Sequence, residues 1–210
     1  MRFSEIEIQH LAKAWIAISF AFALVWRGAG EAYGLDFVQI FLVAALTVGV
    51  AFIVHELAHK YLAQKYGCWA EFRSFDIGLL LAVVMAWIGG IVFAAPGAVM
   101  ISGLVSREEN GRIAAAGPIT NLILAAVFFA FSWVLSVVSI NPGSGGIGAT
   151  FLVSPWFQFI LSFGFSINAW LAFFNLIPFG PLDGAKVLAW SQGIWLALIG
   201  VAGFLTFFVG

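Results

Sequence analysis

The charged residues of the chain fall in clusters, and the stretches between the clusters are long and apolar. Residues 113–182 contain no Asp, Glu, Lys or Arg, which is enough chain for two membrane-spanning helices of about 20 residues each and a turn. A helix-breaking cluster at 141–146 marks that turn. The pattern predicts membrane spans near residues 8–27, 37–66, 113–138, 155–177 and 186–209.

The uncharged segment 77–103 is harder to interpret than the five spans. Gly89-Gly90 and Pro96-Gly97 interrupt it, so hydropathy alone allows a full span, a re-entrant hairpin or a pair of strands. With or without it, residues 1–210 are expected to form a single membrane-embedded domain. The predicted fold class is an all-α polytopic membrane protein with about five to six transmembrane helices.

Composition changes the picture by excluding an ordinary soluble globule. The chain is 63% hydrophobic and 9% charged, with a mean hydropathy of +1.07, whereas soluble domains carry charge on roughly a quarter of their residues. A net charge of −1 provides no basic field for nucleic acid, so the expected partners are the lipid bilayer and membrane proteins. The single cysteine, Cys68, excludes an internal disulfide. No cleavable signal is evident, and the first span is expected to be retained.

The second predicted span contains the motif H-E-x-x-H at His55-Glu56-Leu57-Ala58-His59. Residues four apart lie on one face of a helix, so the two imidazoles can reach one zinc ion. Glu56 lies beside that face, where its carboxylate can take a proton from a metal-bound water and pass it to a leaving amine. A chance match, or a buried glutamate with hydrogen-bonded histidines, is the alternative. Ionisable groups at bilayer depth are usually functional, which disfavours that alternative.

A catalytic zinc site needs a third protein ligand, and Asp183 is the candidate. It is the only carboxylate after Arg112. Two prolines and a glycine within 178–181 break the preceding helix and can turn Asp183 towards the protein interior. The alternative is that Asp183 and Lys186 cap a helix at the membrane surface. The remaining histidine, His10, is expected to be an interfacial side chain rather than a ligand.

These motifs together make the chain resemble the site-2 protease family of intramembrane zinc metalloproteases. That family combines H-E-x-x-H in one span with an Asn, a Pro and an Asp-Gly pair in a later one. The positions that match the later motif are Asn175, Pro178, Asp183 and Gly184. Between the two motifs, Gly117–Asn121 looks like the third core segment of the family. The resemblance runs from about residue 37 to residue 190.

The resemblance implies one zinc ion (Zn2+) per chain, bound by His55, His59 and Asp183. It implies that Glu56 is the general base. The expected enzyme is a zinc metalloendopeptidase that hydrolyses peptide bonds of single-span membrane proteins in regulated intramembrane proteolysis. The alternatives are a metal-ion transporter or carrier, and a catalytically inactive membrane protein that binds helices.

The resemblance also implies that Asn175 and Asn121 orient the substrate backbone. A helix-to-helix hydrogen bond is the alternative for both asparagines. Substrate identity and oligomeric state stay open.

A count of membrane crossings predicts the topology of the segment after the motif. Basic residues after the motif are taken to mark the cytoplasmic side of a cell-membrane protein; they are Lys60, Lys65 and Arg73. His59 lies towards that side, and Asp183 must return there to share the zinc. The spans 113–138 and 155–177 already make two crossings, so residues 77–96 should not cross.

The expected alternative is a short re-entrant or β-hairpin element that bends at Gly89-Gly90. Within it, Ala98–Gly103 is a possible strand beside the active site. An unwound substrate could add to the edge of such a strand. We therefore expect an active site open towards the cytoplasmic side.

Overall fold

The structure is a computed structural model, and it describes residues 1–90, 92, 96–140 and 154–209. The predicted turn at 141–146, and residues 91 and 93–95 of the predicted re-entrant segment, lie outside the described residues.

The amino-terminal half is built from helices that begin at polar caps. Ser4 accepts the Glu7 N–H at the start of the first helix, and Asp36 forms a capping box with Gln39 at the start of the third. The elements are α1 (Glu5–Val25), α2 (Arg27–Ala32), α3 (Phe37–Ala44), a π-helical turn (Ala45–Gly49) and α4 (Val50–Lys65).

A two-stranded antiparallel sheet follows, and a helix separates its strands. The elements are β1 (Trp69–Ser74), α5 (Asp76–Gly89) and β2 (Gly97–Ser102). Ser74 pairs with Gly97, and the Phe75 N–H donates to the Pro96 carbonyl at 3.0 Å. The two ends of the intervening segment are therefore neighbours.

Helix α5 is too short to cross a bilayer. Its 14 residues extend about 21 Å at 1.5 Å per residue, against about 30 Å of hydrocarbon core. It stops at Gly90, whose φ of 62° lies in the left-handed region that favours glycine. The chain leaves from β1 and returns to β2, which agrees with the expected re-entrant element. The expected strand Ala98–Gly103 is found as β2 (Gly97–Ser102), whereas its partner β1 was not predicted.

The carboxy-terminal half contains α6 (Arg107–Ile140), α7 (Pro155–Asn175), α8 (Asp183–Trp190), α9 (Gln192–Phe204) and a π-helical turn (Leu205–Val209). Across the described residues, five helical segments are long and apolar enough to cross a membrane. They are Glu5–Val25, Phe37–Lys65, Arg107–Ser136, Trp156–Asn175 and Gln192–Val209. The predicted all-α polytopic fold is confirmed.

Helix α4 lies inside the bundle and α6 closes over it. Helix α6 contacts α4, α7 and α8, while its outer face leaves Phe131 and Trp133 more than half exposed, as lipid contact requires. The main apolar cluster includes Ile40, Phe52 and Phe72 from three different elements. This packing brings α4 against α6, which in turn packs against α8.

Lys60 does not mark the membrane surface as the sequence suggests. Its side chain is fully buried, forms an ion pair with Glu7 of α1 and lies 4.0 Å from the centre of the Phe3 ring. The second carboxylate oxygen of Glu7 accepts the Phe72 N–H at 2.9 Å. A buried charge needs such partners, and through Glu7 the side chain of Lys60 links α4 to α1 and β1. Of the two lysines of α4, only Lys65 is exposed as a surface charge.

Candidate metal centre

Helix α4 places His55 and His59 one turn apart on the face that meets α6. Their ring centres are 4.7 Å apart, and both side chains are buried. The spacing follows from helix geometry, since residues i and i+4 lie above one another.

Asp183 reaches the histidines because the chain folds back tightly after α7. Gly180 has a φ of 58°, and a Cβ on Gly184 would lie 2.0 Å from the Leu176 carbonyl oxygen. The turn can therefore close only with glycine at 184. It brings Asp183 Oδ2 to 3.3 Å from His55 Nε2 and 3.1 Å from His59 Nε2.

Asp183 does not cap its helix, which answers the alternative that the sequence left open. Leu182 is the N-cap residue of α8, without a side-chain capping hydrogen bond, and Asp183 is buried. Lys186 Nζ lies 3.7 Å from the other carboxylate oxygen, Oδ1. The carboxylate is thus directed at the two imidazoles.

The donor set fits a zinc ion. The candidate ligand atoms of His55, His59 and Asp183 lie within 4.8 Å of one another, the only such group among the described residues. Two imidazole nitrogens and one carboxylate oxygen match a catalytic zinc site, which takes three protein ligands and keeps one position open.

The outer ring nitrogens of both histidines are held by acceptors on α6. His55 Nδ1 lies 2.5 Å from Asn121 Oδ1, and His59 Nδ1 lies 2.7 Å from the Ile113 carbonyl oxygen. A carbonyl can only accept, so His59 carries a hydrogen on Nδ1 and presents Nε2 to the centre. Metal-binding histidines are usually held in this way.

Gly117 of α6 provides the space for the centre. A Cβ at that position would lie 2.5 Å from both His55 Nε2 and His59 Nε2, well inside contact distance. Only glycine leaves this volume free for a ligand of the two nitrogens. The sequence identified Gly117 as part of a family segment, but which atoms it faces depends on how α4 and α6 pack.

Glu56 is buried beside the histidines, and β2 holds its carboxylate. Oε2 accepts the Val99 N–H at 3.1 Å. Val99 is paired with Phe72, yet the Phe72 N–H is used by Glu7 on the far side of β1. Val99 is therefore at a position where its N–H points outward from the sheet, towards α4.

The other polar residues singled out in the sequence have different surroundings. Asn121 is fully buried and contacts His55, the Ala51 carbonyl and Asn168. Half-buried Asn175 donates to the Leu171 carbonyl of its own helix at 2.9 Å. Asn168, which sequence reasoning did not single out, is fully buried next to Asn121; an asparagine in the middle of an apolar span was the available signal.

His10 lies away from the centre. Its Nδ1 accepts the Ser74 N–H at 3.0 Å. It thus joins α1 to β1.

Comparison with known proteins defines the class of this chain. The sequence model of Peptidase family M50 matches residues 43–151. A predicted zinc metalloprotease of Methanocaldococcus jannaschii is 40% identical over 201 residues, covering 95% of this chain and 92% of that protein. The fold and the site together are those of a membrane zinc metalloprotease, and the chain belongs to peptidase family M50, the site-2 protease family.

More distant relatives have the same assignment. A predicted zinc metalloprotease of Bacillus subtilis is 27% identical and covers 68% of this chain and 66% of its own. A second zinc metalloprotease of M. jannaschii is 29% identical and covers 66% of this chain and 31% of its own. No solved structure matches the chain.

Proposed function

We propose that the chain is an intramembrane zinc endopeptidase that hydrolyses peptide bonds of single-span membrane proteins, as a step of regulated intramembrane proteolysis. One observation carries the proposal: two histidines and an aspartate converge on one point between apolar helices, with Glu56 beside them. Intramembrane ionisable residues are costly, and such a convergence marks a functional site.

In this proposal His55, His59 and Asp183 bind one zinc ion per chain. Zinc held there supplies a Lewis acid, which activates a water molecule and polarises the scissile carbonyl group. The protein contributes the orientation of its ligands, since Asn121 and the Ile113 carbonyl hold the outer nitrogens of the two rings. Gly117 keeps the space in front of both Nε2 atoms free of side chains.

Glu56 acts as the general base. Its carboxylate takes a proton from the attacking water and delivers it to the leaving amine, which gains the hydrogen that the broken peptide bond requires. The Val99 N–H holds one carboxylate oxygen at 3.1 Å, so the base is attached to the rim of the sheet rather than free to rotate.

The substrate backbone has a place beside this base. The outer edge of β2 faces α4, and an unwound segment of substrate could pair with it by strand addition. Asn175, at the end of α7, would orient the bound backbone. Its present hydrogen bond is to its own helix, so its amide can be redirected without unfolding.

The site is proposed to open towards the cytoplasmic side of the cell membrane. Exposed Lys65 ends α4, six residues beyond His59, and basic residues next to a span favour the cytoplasmic side. Water then reaches the centre from the side that carries β1 and β2.

The proposal is tested by cleavage of a single-span substrate in liposomes, with zinc content measured on the same samples. Glu56→Gln keeps an oxygen for the Val99 N–H but has no carboxylate to take the proton. We expect cleavage to fall by about 10² to 10⁴ while zinc stays bound. The matched control is Glu31→Gln, an exposed glutamate paired with Arg27, which should cleave like the wild type.

A Glu56→Gln protein that cleaves as fast as the wild type would contradict the proposal. So would a wild-type protein that moves zinc across the liposome membrane and cuts none of a panel of single-span substrates.

A further inference from the structure

A chain of buried side-chain amides runs from His55 across α6 into α7. Asn121 Oδ1 lies 2.5 Å from His55 Nδ1, and Asn121 Nδ2 lies 3.0 Å from Asn168 Oδ1. Asn168 Nδ2 in turn donates to the Gly164 carbonyl at 2.8 Å. Both asparagines are fully buried. We call Asn121 and Asn168 the amide chain.

Two backbone carbonyls fix the direction of every hydrogen bond in the amide chain. The Gly164 carbonyl only accepts, so Asn168 must turn its NH₂ towards it and its oxygen towards Asn121. Asn121 must then present its NH₂, which the Ala51 carbonyl at 3.3 Å also requires. What is left facing His55 is the oxygen of Asn121, so His55 must carry its hydrogen on Nδ1 and present Nε2 to the metal centre.

We propose that Asn168 is a positioning residue, which fixes the tautomer and ring orientation of His55 through Asn121. The inference rests on the zinc site proposed above and adds a residue from α7 to it. His59 needs no such device, because the Ile113 carbonyl already dictates its tautomer. His55 is held by an amide that could face either way. Two acceptors set the orientation of that amide, the Asn168 oxygen at 3.0 Å and the more distant Ala51 carbonyl at 3.3 Å.

A simple helix-to-helix hydrogen bond does not account for the arrangement. Joining α6 to α7 requires the Asn121–Asn168 contact alone, and either amide orientation would serve. The structure commits both groups of Asn121, its donors to Ala51 and Asn168 and its acceptor to His55. Burying an amide costs free energy unless all its groups are hydrogen-bonded. Asn121 meets this condition only when its oxygen faces His55 and its NH₂ faces Ala51 and Asn168.

The test compares Asn168→Leu, which removes the acceptor for Asn121, with Asn168→Asp, whose neutral carboxyl group keeps an oxygen for Asn121 and an O–H for the Gly164 carbonyl. The control is Thr47→Val, which removes a different buried hydrogen bond, that of the Thr47 hydroxyl to the Val43 carbonyl. Zinc affinity is measured by competition with a chelator. Outer partners of metal-binding histidines change metal affinity by about 10- to 100-fold, so Asn168→Leu should weaken zinc binding by about tenfold.

We expect Asn168→Asp to stay within about threefold of the wild type, and so to restore most of what the leucine loses. If the leucine variant does not fold, Asn168→Ser is measured instead. Its hydroxyl can bond to its own helix but is too short to reach Asn121, so zinc binding should weaken as for leucine.

A second measurement follows His55 directly, in zinc-loaded protein with ¹⁵N-labelled histidine. The chain has three histidines, so few signals need assignment. The Nδ1 hydrogen of His55 should be protected from solvent exchange in the wild type and in Asn168→Asp, and should exchange faster in Asn168→Leu. Thr47→Val should leave it protected.

The outcomes separate this inference from the proposed function. Absence of zinc from the wild-type protein overturns the zinc site and the inference together. The inference alone is overturned if the wild type binds zinc through His55 and Asn168→Leu binds zinc equally tightly and keeps its His55 Nδ1 hydrogen protected. Loss of cleavage in Asn121→Leu at unchanged zinc affinity also overturns it, because Asn121 would then act on the substrate.

Discussion

Helix α4 carries two buried polar clusters that differ in how they are completed. The first is the ion pair of Lys60 with Glu7, which also accepts the Phe72 N–H. The second is the candidate metal centre, where His55 and His59 face Asp183. In the first cluster each charged group meets an opposite charge or a donor. In the second, three ligand atoms converge on one point.

In the proposed account, this difference distinguishes the functional cluster from the structural one. Burial does not, because Lys60 and Glu7 are more deeply buried than the two histidines. Charge pairing does not either, since a carboxylate occurs in both. The distinguishing feature is convergence of electron pairs on a space that Gly117 keeps empty of side chains. A cluster of that kind is completed by a cation from outside the chain.

The largest effect is expected from filling that space. Gly117→Ala puts a methyl group 2.5 Å from both Nε2 atoms, so we expect the protein to lose stoichiometric zinc and with it all cleavage. Elemental analysis of purified protein measures the loss. Gly200→Ala is the control, because a Cβ there meets nothing within 4 Å. Full zinc in Gly117→Ala would show that the metal lies elsewhere.

Substitutions in the first cluster, the Lys60–Glu7 ion pair, should instead change the stability of the protein. Lys60→Met leaves Glu7 buried without its cation, and breaking a buried ion pair in this way costs about 3–5 kcal/mol of unfolding free energy. The double variant with Glu7→Gln, which keeps an acceptor for Phe72, should recover most of the loss. Unfolding in detergent measures both. Zinc per folded chain should not change; a zinc loss specific to Lys60→Met would mean that the two clusters are not separate.

A smaller effect is expected at the strand that holds Glu56. Val99→Pro removes the N–H that donates to Glu56 without removing a bond between β1 and β2, because this N–H points outward. Hydrogen bonds to charged groups contribute about 1.5–3 kcal/mol, so kcat should fall by about tenfold or more at unchanged zinc content. Val99→Ala, which keeps the N–H, is the control. Equal cleavage rates for the two variants would show that the Val99 N–H does not contribute to the action of Glu56.

The smallest effect concerns an exposed ion pair, which contrasts with the buried one. Lys13 donates a hydrogen bond to Asp76, and this lowers the pKa of the Asp76 carboxyl below its ordinary 3.8. A lowered pKa means that the contribution to stability is present above pH 3.8 and is lost as the pH falls through the lower, folded-state value. Asp76→Asn should therefore remove a slight acid sensitivity of the unfolding midpoint. A loss of stability as large as that expected for Lys60→Met would contradict the distinction between the exposed and the buried ion pair, because exposed pairs are screened by solvent.

The sequence carried most of the information about the centre and much less about what surrounds it. His55, Glu56 and His59 follow from one short motif, because helix geometry alone puts positions four apart on one face. Asp183 could be found because it is the only carboxylate after Arg112. The five apolar stretches and the return of the segment after β1 were also predictable, from hydropathy and from the parity of crossings.

The surroundings depend on packing between distant segments, which hydropathy does not encode. Lys60 looks like a surface charge in the sequence and is buried, because Glu7, 53 residues earlier, lies against it. The contact of Gly117 with two imidazoles and the link from Asn168 to Asn121 likewise join residues on different helices. A periodic pattern tells which face of a helix is apolar, but it does not tell which residue of another helix meets it.

The most direct test of the account is the zinc content of the purified wild-type protein, measured beside that of a His55→Ala/His59→Ala double variant. The account predicts about one zinc per wild-type chain, since one convergent ligand set of this kind is found in the described part of the chain. It predicts essentially none in the double variant, which keeps Glu7, Lys60 and Asp183 unchanged. A double variant that folds and still holds one zinc per chain would contradict the assignment of the centre.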